Sequence, residues 1–270
     1  MEYKSFQGTS VPSIGLGTWL LSGAECIESV KNALEIGYRH IDTAQVYENE
    51  VEVGAGIIAS RVPREEIFLT TKIHREKLEP TAARVSVGES LKKLATDYID
   101  LLLIHWPSAD FPFEKTLEVM VKLKDEGKVR DIGVSNFPSD LMRKAMEVAP
   151  IFCNQVEYHP FLDQSKIIRI AEANGIMITA YSPVARGKVT TNNVINALAE
   201  KYDKSPYQVA LRWLIQQKQV VAIPKAAKVE HRKANINIFD FELTNDEMQK
   251  IFALTGKGRL IKPPWAPAWD

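Results

Sequence analysis

Short runs of β-branched and apolar residues alternate with longer amphipathic stretches along the whole chain, and this alternation limits the fold more than any other feature. Parallel strands need a crossover to join them, usually a helix, so repeated βα units imply a parallel sheet. The pattern predicts strands at 14–18, 39–42, 67–72, 99–105, 129–134, 152–157, 177–181 and 220–224. Helices are expected at 24–36, 49–60, 80–95, 113–126, 139–148, 164–174 and 205–217, with a last one near 244–253. Residues 3–14 read as an N-terminal hairpin. Ser139 is placed to start a helix, Thr244 to Glu247 resembles a capping box, and Gly37, Gly127 and Gly175 stand where helices should stop. Eight strands with eight crossovers close most naturally into a (β/α)8 barrel, the TIM-barrel architecture; an open doubly wound sheet is the alternative. No linker or low-complexity break interrupts residues 1–270, which read as one domain.

Composition narrows the partners. Lys+Arg and Asp+Glu number 34 each, for a formal net charge of zero, so broad attraction to nucleic acid or to an anionic membrane is not expected. A local basic pocket remains compatible with that balance. Cys26 and Cys153 are isolated, which argues against a zinc site or a disulfide framework, and no metal is expected. The start MEYKSFQGTS lacks the apolar core of a signal peptide, and no run reaches the roughly 18 apolar residues of a membrane span. A cytoplasmic protein is the expectation. Gly54 to Ala59 fits G-x-G-x-x-A, but it lies within a helical pattern rather than at a strand-to-helix turn, so it is set aside as a phosphate cradle.

The informative residues are polar ones at strand ends. Asp42 closes the second barrel strand, Lys72 the third and His105 the fourth, with 30 residues between the first two and 33 between the next. Equivalent phase on neighbouring strands should place them at one height, about 4.8 Å apart, with Tyr47 in the loop beyond Asp42. All four can meet at the C-terminal mouth, where barrel enzymes carry their active sites. Singly, Asp42 also reads as a helix N-cap, Lys72 as a structural ion pair, His105 as a core histidine and Tyr47 as a loop aromatic. Together they suit carbonyl reduction. Hydride addition builds charge on the carbonyl oxygen and calls for a proton donor there, and Tyr47 is suited to that. A phenol titrates near 10, so Lys72 is expected to lower its pKa, with Asp42 holding the lysine charged. Neutral His105 could orient the carbonyl. The hydride must come from a cofactor. Two other readings stay open: a barrel aldolase using Lys72 as a Schiff base, and a non-catalytic subunit of the same fold.

GLGTW (15–19), GYRHIDTAQVYENE (37–50), TTK (70–72), DLLLIHWP (100–107), GVSNF (133–137), NQVEYHP (154–160), AYSPVARG (180–187) and IPK (223–225) together resemble the aldo-keto reductases in order and spacing. The likeness looks greatest to the bacterial 2,5-diketo-D-gluconate and methylglyoxal reductase group. It implies Tyr47 as proton donor with Asp42, Lys72 and His105, and a reduced nicotinamide cofactor, NADPH with NADH as a second choice. Thr18 and Asp42 would flank that cofactor. Ser135, Asn136 and Gln155 would hold its carboxamide, Tyr181 would stack on its ring, and Ser182, Pro183, Val184 and Arg186 would wrap the pyrophosphate. Lys225, Ala226, His231, Arg232 and Asn235 would face the adenosine end, where the family's usual serine and arginine are replaced by Ala226 and His231. Trp19, Tyr47, His105 and Trp106 would wall the pocket of a small carbonyl substrate. The tail from Arg259 to Asp270 reads as an aromatic anchor or as a flap over that pocket. A monomer is implied.

Overall fold

In the computed structural model, which describes residues 1–256 and 258–270, the chain opens with an antiparallel hairpin of β1 (Tyr3–Phe6) and β2 (Thr9–Pro12). The barrel follows: β3 (Leu16–Gly17), α1 (Gly23–Glu35), β4 (His40–Asp42), α2 (Glu50–Ser60), β5 (Phe68–Ile73), α3 (Pro80–Lys93), β6 (Ile99–Ile104), α4 (Phe113–Asp125) and β7 (Val129–Ser135). It continues with α5 (Ser139–Val148), β8 (Cys153–Glu157), α6 (Ser165–Asn174), β9 (Met177–Tyr181), α7 (Asn193–Tyr202), α8 (Pro206–Gln216), β10 (Val220–Ala222), α9 (Val229–Ile236) and α10 (Asn245–Phe252). The sheet from β3 to β10 is parallel and follows chain order. Bridges Ile14–Ala222 and Gly17–Lys225 join its two edges, with Gly15 N donating to Ala222 O at 2.8 Å and Gly17 N to Pro224 O at 3.1 Å. The sheet is therefore a closed barrel. A Cβ at Gly17 would stand 2.7 Å from Ile223 O, so this seam requires glycine.

Side chains alternate across a strand, so every second residue faces the barrel interior. On β5 this separates Leu69, packed outward against α1 and α2 with Val30, Val53 and Leu94, from Phe68, Thr70 and Lys72. The lower interior is filled by Phe68, Leu101, Leu103, Cys153, Met177 and Val221, and the hairpin plugs that end with Phe6 and Val11. The upper interior carries the polar residues. Helix packing also explains the glycines of the discarded motif: on α2, a Cβ at Gly54 would lie 2.7 Å from the Leu94 backbone, and one at Gly56 would lie 2.7 Å from Val30.

The structure adds two helices to those expected. Helix α7 buries Ile195, Leu198 and Ala199 and is capped by Asn192, whose side chain accepts from Val194 N and Ile195 N. Helix α9 buries Arg232 and Asn235, so it shows no apolar stripe to detect. The capping box of Thr244 and Glu247 is present, and Gly37, Gly127 and Gly175 all adopt positive φ beyond helix ends. Ser139 differs from expectation. It is the first residue of α5 rather than its cap, and its N–H and hydroxyl both donate to the Asp270 carboxylate.

Two glycine substitutions should separate packing from backbone effects. Gly54→Ala forces a methyl into the Leu94 backbone and should destabilise by about 1–3 kcal/mol. Gly88→Ala, in α3 with nothing within 4 Å, should stabilise by about 0.5–1 kcal/mol. Denaturant unfolding midpoints check both.

Candidate active site

The register corrects the expected single height. Asp42 lies opposite Thr70, not Lys72, and Lys72 lies opposite Leu103, two residues short of His105. The polar set therefore climbs two residues, one pleat, at each step, which is the stagger of a tilted barrel. Lys72 reaches back across that step: its Nζ donates to Asp42 Oδ1 at 2.6 Å and to Thr43 O at 2.8 Å. The other carboxylate oxygen, Oδ2, accepts from Gln155 Nε2 at 2.7 Å, and Thr18 Oγ1 donates to Asp42 O at 2.9 Å. Lys72 is fully buried beneath the cavity and does not line it, which leaves no opening for Schiff-base chemistry there.

Tyr47 ends a short 3-10 turn (Gln45–Tyr47) and is half-buried at the cavity wall. Its ring meets His105 edge-on, centroids 5.7 Å apart, and Lys72 Nζ lies 5.1 Å from its centroid. Burial, then the Asp42 charge, holds the phenol well above its ordinary range. The expected lowering by Lys72 is not seen, because that ammonium is engaged by Asp42 and Thr43. The result is a phenol that keeps its proton at neutral pH. His105 is held well below its ordinary value by burial, with Lys72 and His74 adding to the effect, so its imidazole is neutral. Burial pushes Asp42 up and Lys72 down while each one's charge opposes the other's shift; at 2.6 Å they act as one pair.

Beside them a second network is already ordered. Asn136 takes a left-handed φ of 63° and donates from Nδ2 to His105 O and Ser135 Oγ, while its Oδ1 accepts from Tyr181 OH at 2.7 Å. Ser135 Oγ donates to Gln155 O at 2.9 Å. Asn136 is thus bonded within the fold, and Gln155 Oε1 has no partner among the described residues at the cavity. The loop after β9 holds Ser182, Ala185 and Arg186 at positive φ, and Arg186 Cζ lies 5.4 Å from the Trp19 ring centroid.

These residues surround a cavity of about 720 Å³. Of the expected set, Trp19, Asp42, Tyr47, His105, Trp106, Ser135, Asn136, Gln155, Tyr181, Ser182, Pro183, Val184, Arg186 and Lys225 line it. Thr18 and Lys72 lie behind the wall. Exposed His231, with buried Ala226 and Asn235, lies off the cavity. Arg232 is tethered: Nε donates to Asn32 Oδ1, and Nη1 donates to Ser29 Oγ, Ala226 O and Ala227 O. These four bonds hold its guanidinium away from the cavity. Sequence reasoning missed Leu20, His74 and Arg75, which carry no motif, and gave no role to Val46; the tail, expected as an anchor or a flap, lines the cavity with Leu260 to Pro263 and Trp265. The tail is both anchor and wall, since Trp106 packs edge-on against Trp265 at 5.0 Å and Trp269 at 6.2 Å.

A closed barrel with this mouth is matched by known proteins. Residues 13–255 fit the model of the aldo/keto reductase family, and the chain belongs to that family. It is 42% identical to methylglyoxal reductase DkgB of Escherichia coli O157:H7 over 97% of this chain and 100% of that protein. Identity to glyoxal reductase of Bacillus subtilis is also 42%, over 97% and 95% of the two chains. A crystal structure provisionally assigned as 2,5-diketo-D-gluconic acid reductase B superposes with a TM-score of 0.98 at 43% identity, over 100% of this chain and 98% of that one. An aldo-keto reductase of Bombyx mori in complex with NADP gives 0.89 at 35%, over 97% and 95%.

The two shifted groups fix a pH profile. His105 gains a proton only below its ordinary 6.5, and Tyr47 loses one only above its ordinary 10.0, so neither titrates between those values. The ratio kcat/KM should be flat from about pH 6.5 to 9.5 and fall only beyond. An acid limb centred near 6.5 would show that His105 titrates at its ordinary value in the working enzyme instead of being held below it by burial.

Proposed function

We propose that this chain reduces small aldehydes and ketones, including dicarbonyls and keto-sugars, with Tyr47 as proton donor and NADPH as preferred reductant. The observation that carries this reading is the buried Asp42–Lys72 pair set directly beneath a protonated phenol and a neutral imidazole at the cavity wall. When bound, a reduced nicotinamide supplies the hydride, which no side chain can. The residues fit such a group: Gln155 offers an amide oxygen at the wall, Tyr181 offers a ring tethered through its hydroxyl, and Arg186 and Lys225 offer exposed cations for phosphate.

His105 lines the cavity, and its ring nitrogens have no partner among the described residues, so one N–H can hold the carbonyl oxygen. As charge grows on that oxygen, Tyr47 gives up its proton. An alkoxide is a far stronger base than a phenolate, so the transfer is downhill even from a phenol raised by burial. The phenolate left behind is short-lived, because burial and then the Asp42 charge oppose it, and it regains a proton from solvent. Trp19 and Trp106 bound the substrate side. The free, buried thiols of Cys26 and Cys153 suit a reducing, cytoplasmic setting. A monomer remains our reading from the family resemblance.

Tyr47→Phe should keep cofactor binding while turnover falls by about 10² or more. Retention of more than about a third of turnover would remove Tyr47 from the role.

Cofactor choice is a separate test. Lys225 is exposed at the cavity, Arg232 is tethered, Ala226 offers no side-chain donor, and exposed His231 is a poor replacement for arginine. NADPH should therefore be favoured over NADH by about one charge-assisted contact, on the order of 10- to 100-fold in kcat/KM. His231→Arg should widen that ratio by about tenfold, through the KM for cofactor. Outright preference for NADH would mean that Lys225 does not meet the ribose.

A further inference from the structure

One buried carboxylate has no part in the chemistry above. Glu157 ends β8, two residues beyond Gln155, and its side chain is fully buried. Its Oε1 accepts from Leu260 N at 2.7 Å, and its Oε2 accepts from Ile261 N at 2.8 Å. His159 Nε2 lies 3.0 Å from Oε1. The tautomer of that histidine follows from its other nitrogen: Nδ1 accepts from Phe161 N at 3.2 Å, so the ring proton sits on Nε2 and is donated to Glu157. Three N–H donors thus converge on one carboxylate and keep it ionised, and they hold its pKa below the usual value although burial alone would raise it. A buried charge this well satisfied fixes its partners firmly.

Those partners are the wall of the cavity. Leu260 and Ile261 line it, followed by Lys262, Pro263 and Trp265. Beyond the clasp, the strap crosses Trp106 and ends with Asp270 bonded to Ser139. Arg259, the residue before the clasp, stacks on Trp269 at 3.4 Å. No helix or strand lies between Arg259 and Asp270, so the path of the strap depends on contacts of this kind.

We propose that Glu157, oriented by His159, is a positioning residue that fixes the strap as the substrate wall and thereby sets carbonyl affinity without touching substrate or cofactor. This rests on the carbonyl-reduction reading. It predicts a split: losing the clasp should weaken carbonyl binding and leave cofactor binding intact.

The test compares Glu157→Gln with Ile261→Pro, which removes one strap N–H without altering the barrel. Amide hydrogen exchange is read on residues 259–265, NADPH affinity by fluorescence titration, and steady-state kinetics with methylglyoxal. In each variant, exchange over the strap should rise, KM for methylglyoxal should rise by about tenfold, the scale of one charge-assisted bond, and NADPH affinity should stay within about twofold. The double variant should be no worse than about the weaker single, since both changes break one clasp. Additive losses, an unchanged KM with a loosened strap, or an equal loss of NADPH affinity would each overturn the proposal. Should Glu157→Gln fail to fold, Ile261→Pro alone still decides between a raised and an unchanged KM. Lack of carbonyl turnover by the unaltered chain would instead overturn the functional reading, while the exchange data still report on the clasp.

Discussion

Everything at the mouth depends on a buried ion pair. Taking Asp42 and Lys72 out of water costs several kcal/mol per ion in general, and Coulomb attraction repays that only with full hydrogen bonding. Here both carboxylate oxygens and two of the three ammonium directions are satisfied by Lys72, Gln155, Asp42 and Thr43. The pair therefore stays in place, and its negative member adds to the burial that holds the phenol above it protonated. Remove either partner and the other is left as an uncompensated charge under the reacting groups. The same pair explains why His105 resists protonation, since a second cation beside Lys72 would be repelled in a site that burial already disfavours.

The barrel supplies this arrangement through its stagger. Interior positions near the bottom are apolar because the hairpin seals them, and those near the top are polar because they open on the cavity. The barrel sets Asp42 beside Thr70 with Lys72 one pleat further along β5, and the long lysine side chain bridges that step. Lysine is suited to that bridge, being flexible and carrying a compact charge.

The strands and most helices were legible because each buries one face, which leaves a period of two or 3.6 in the sequence. Helix α7 could have been found from Asn192 followed by Ile195, Leu198 and Ala199; α9 could not, since what it buries is polar. The catalytic set was readable from its phase at strand ends. Its electrostatics were only half readable: neutral His105 was expected, whereas the direction of the Tyr47 shift follows from the burial of the phenol and then from the nearby Asp42 charge. Arg232 was ambiguous for a similar reason. A basic residue near a phosphate site looks available until its partners, Asn32 and Ser29 some two hundred residues earlier, are seen. The strap residues Leu260 and Ile261 had no pattern at all, because Glu157 recognises their backbone and not their side chains.

The bond from Gln155 to Asp42 joins residues 113 apart, and the seam at Ile14 and Ala222 joins residues nearly twice as distant in sequence. Contacts of that span form late, after most of the loop-closure entropy has been met. The cavity is lined from Gly17 to Trp265, by residues on both sides of that seam. A ligand that fits it would therefore raise the stability of the whole barrel rather than that of any one segment.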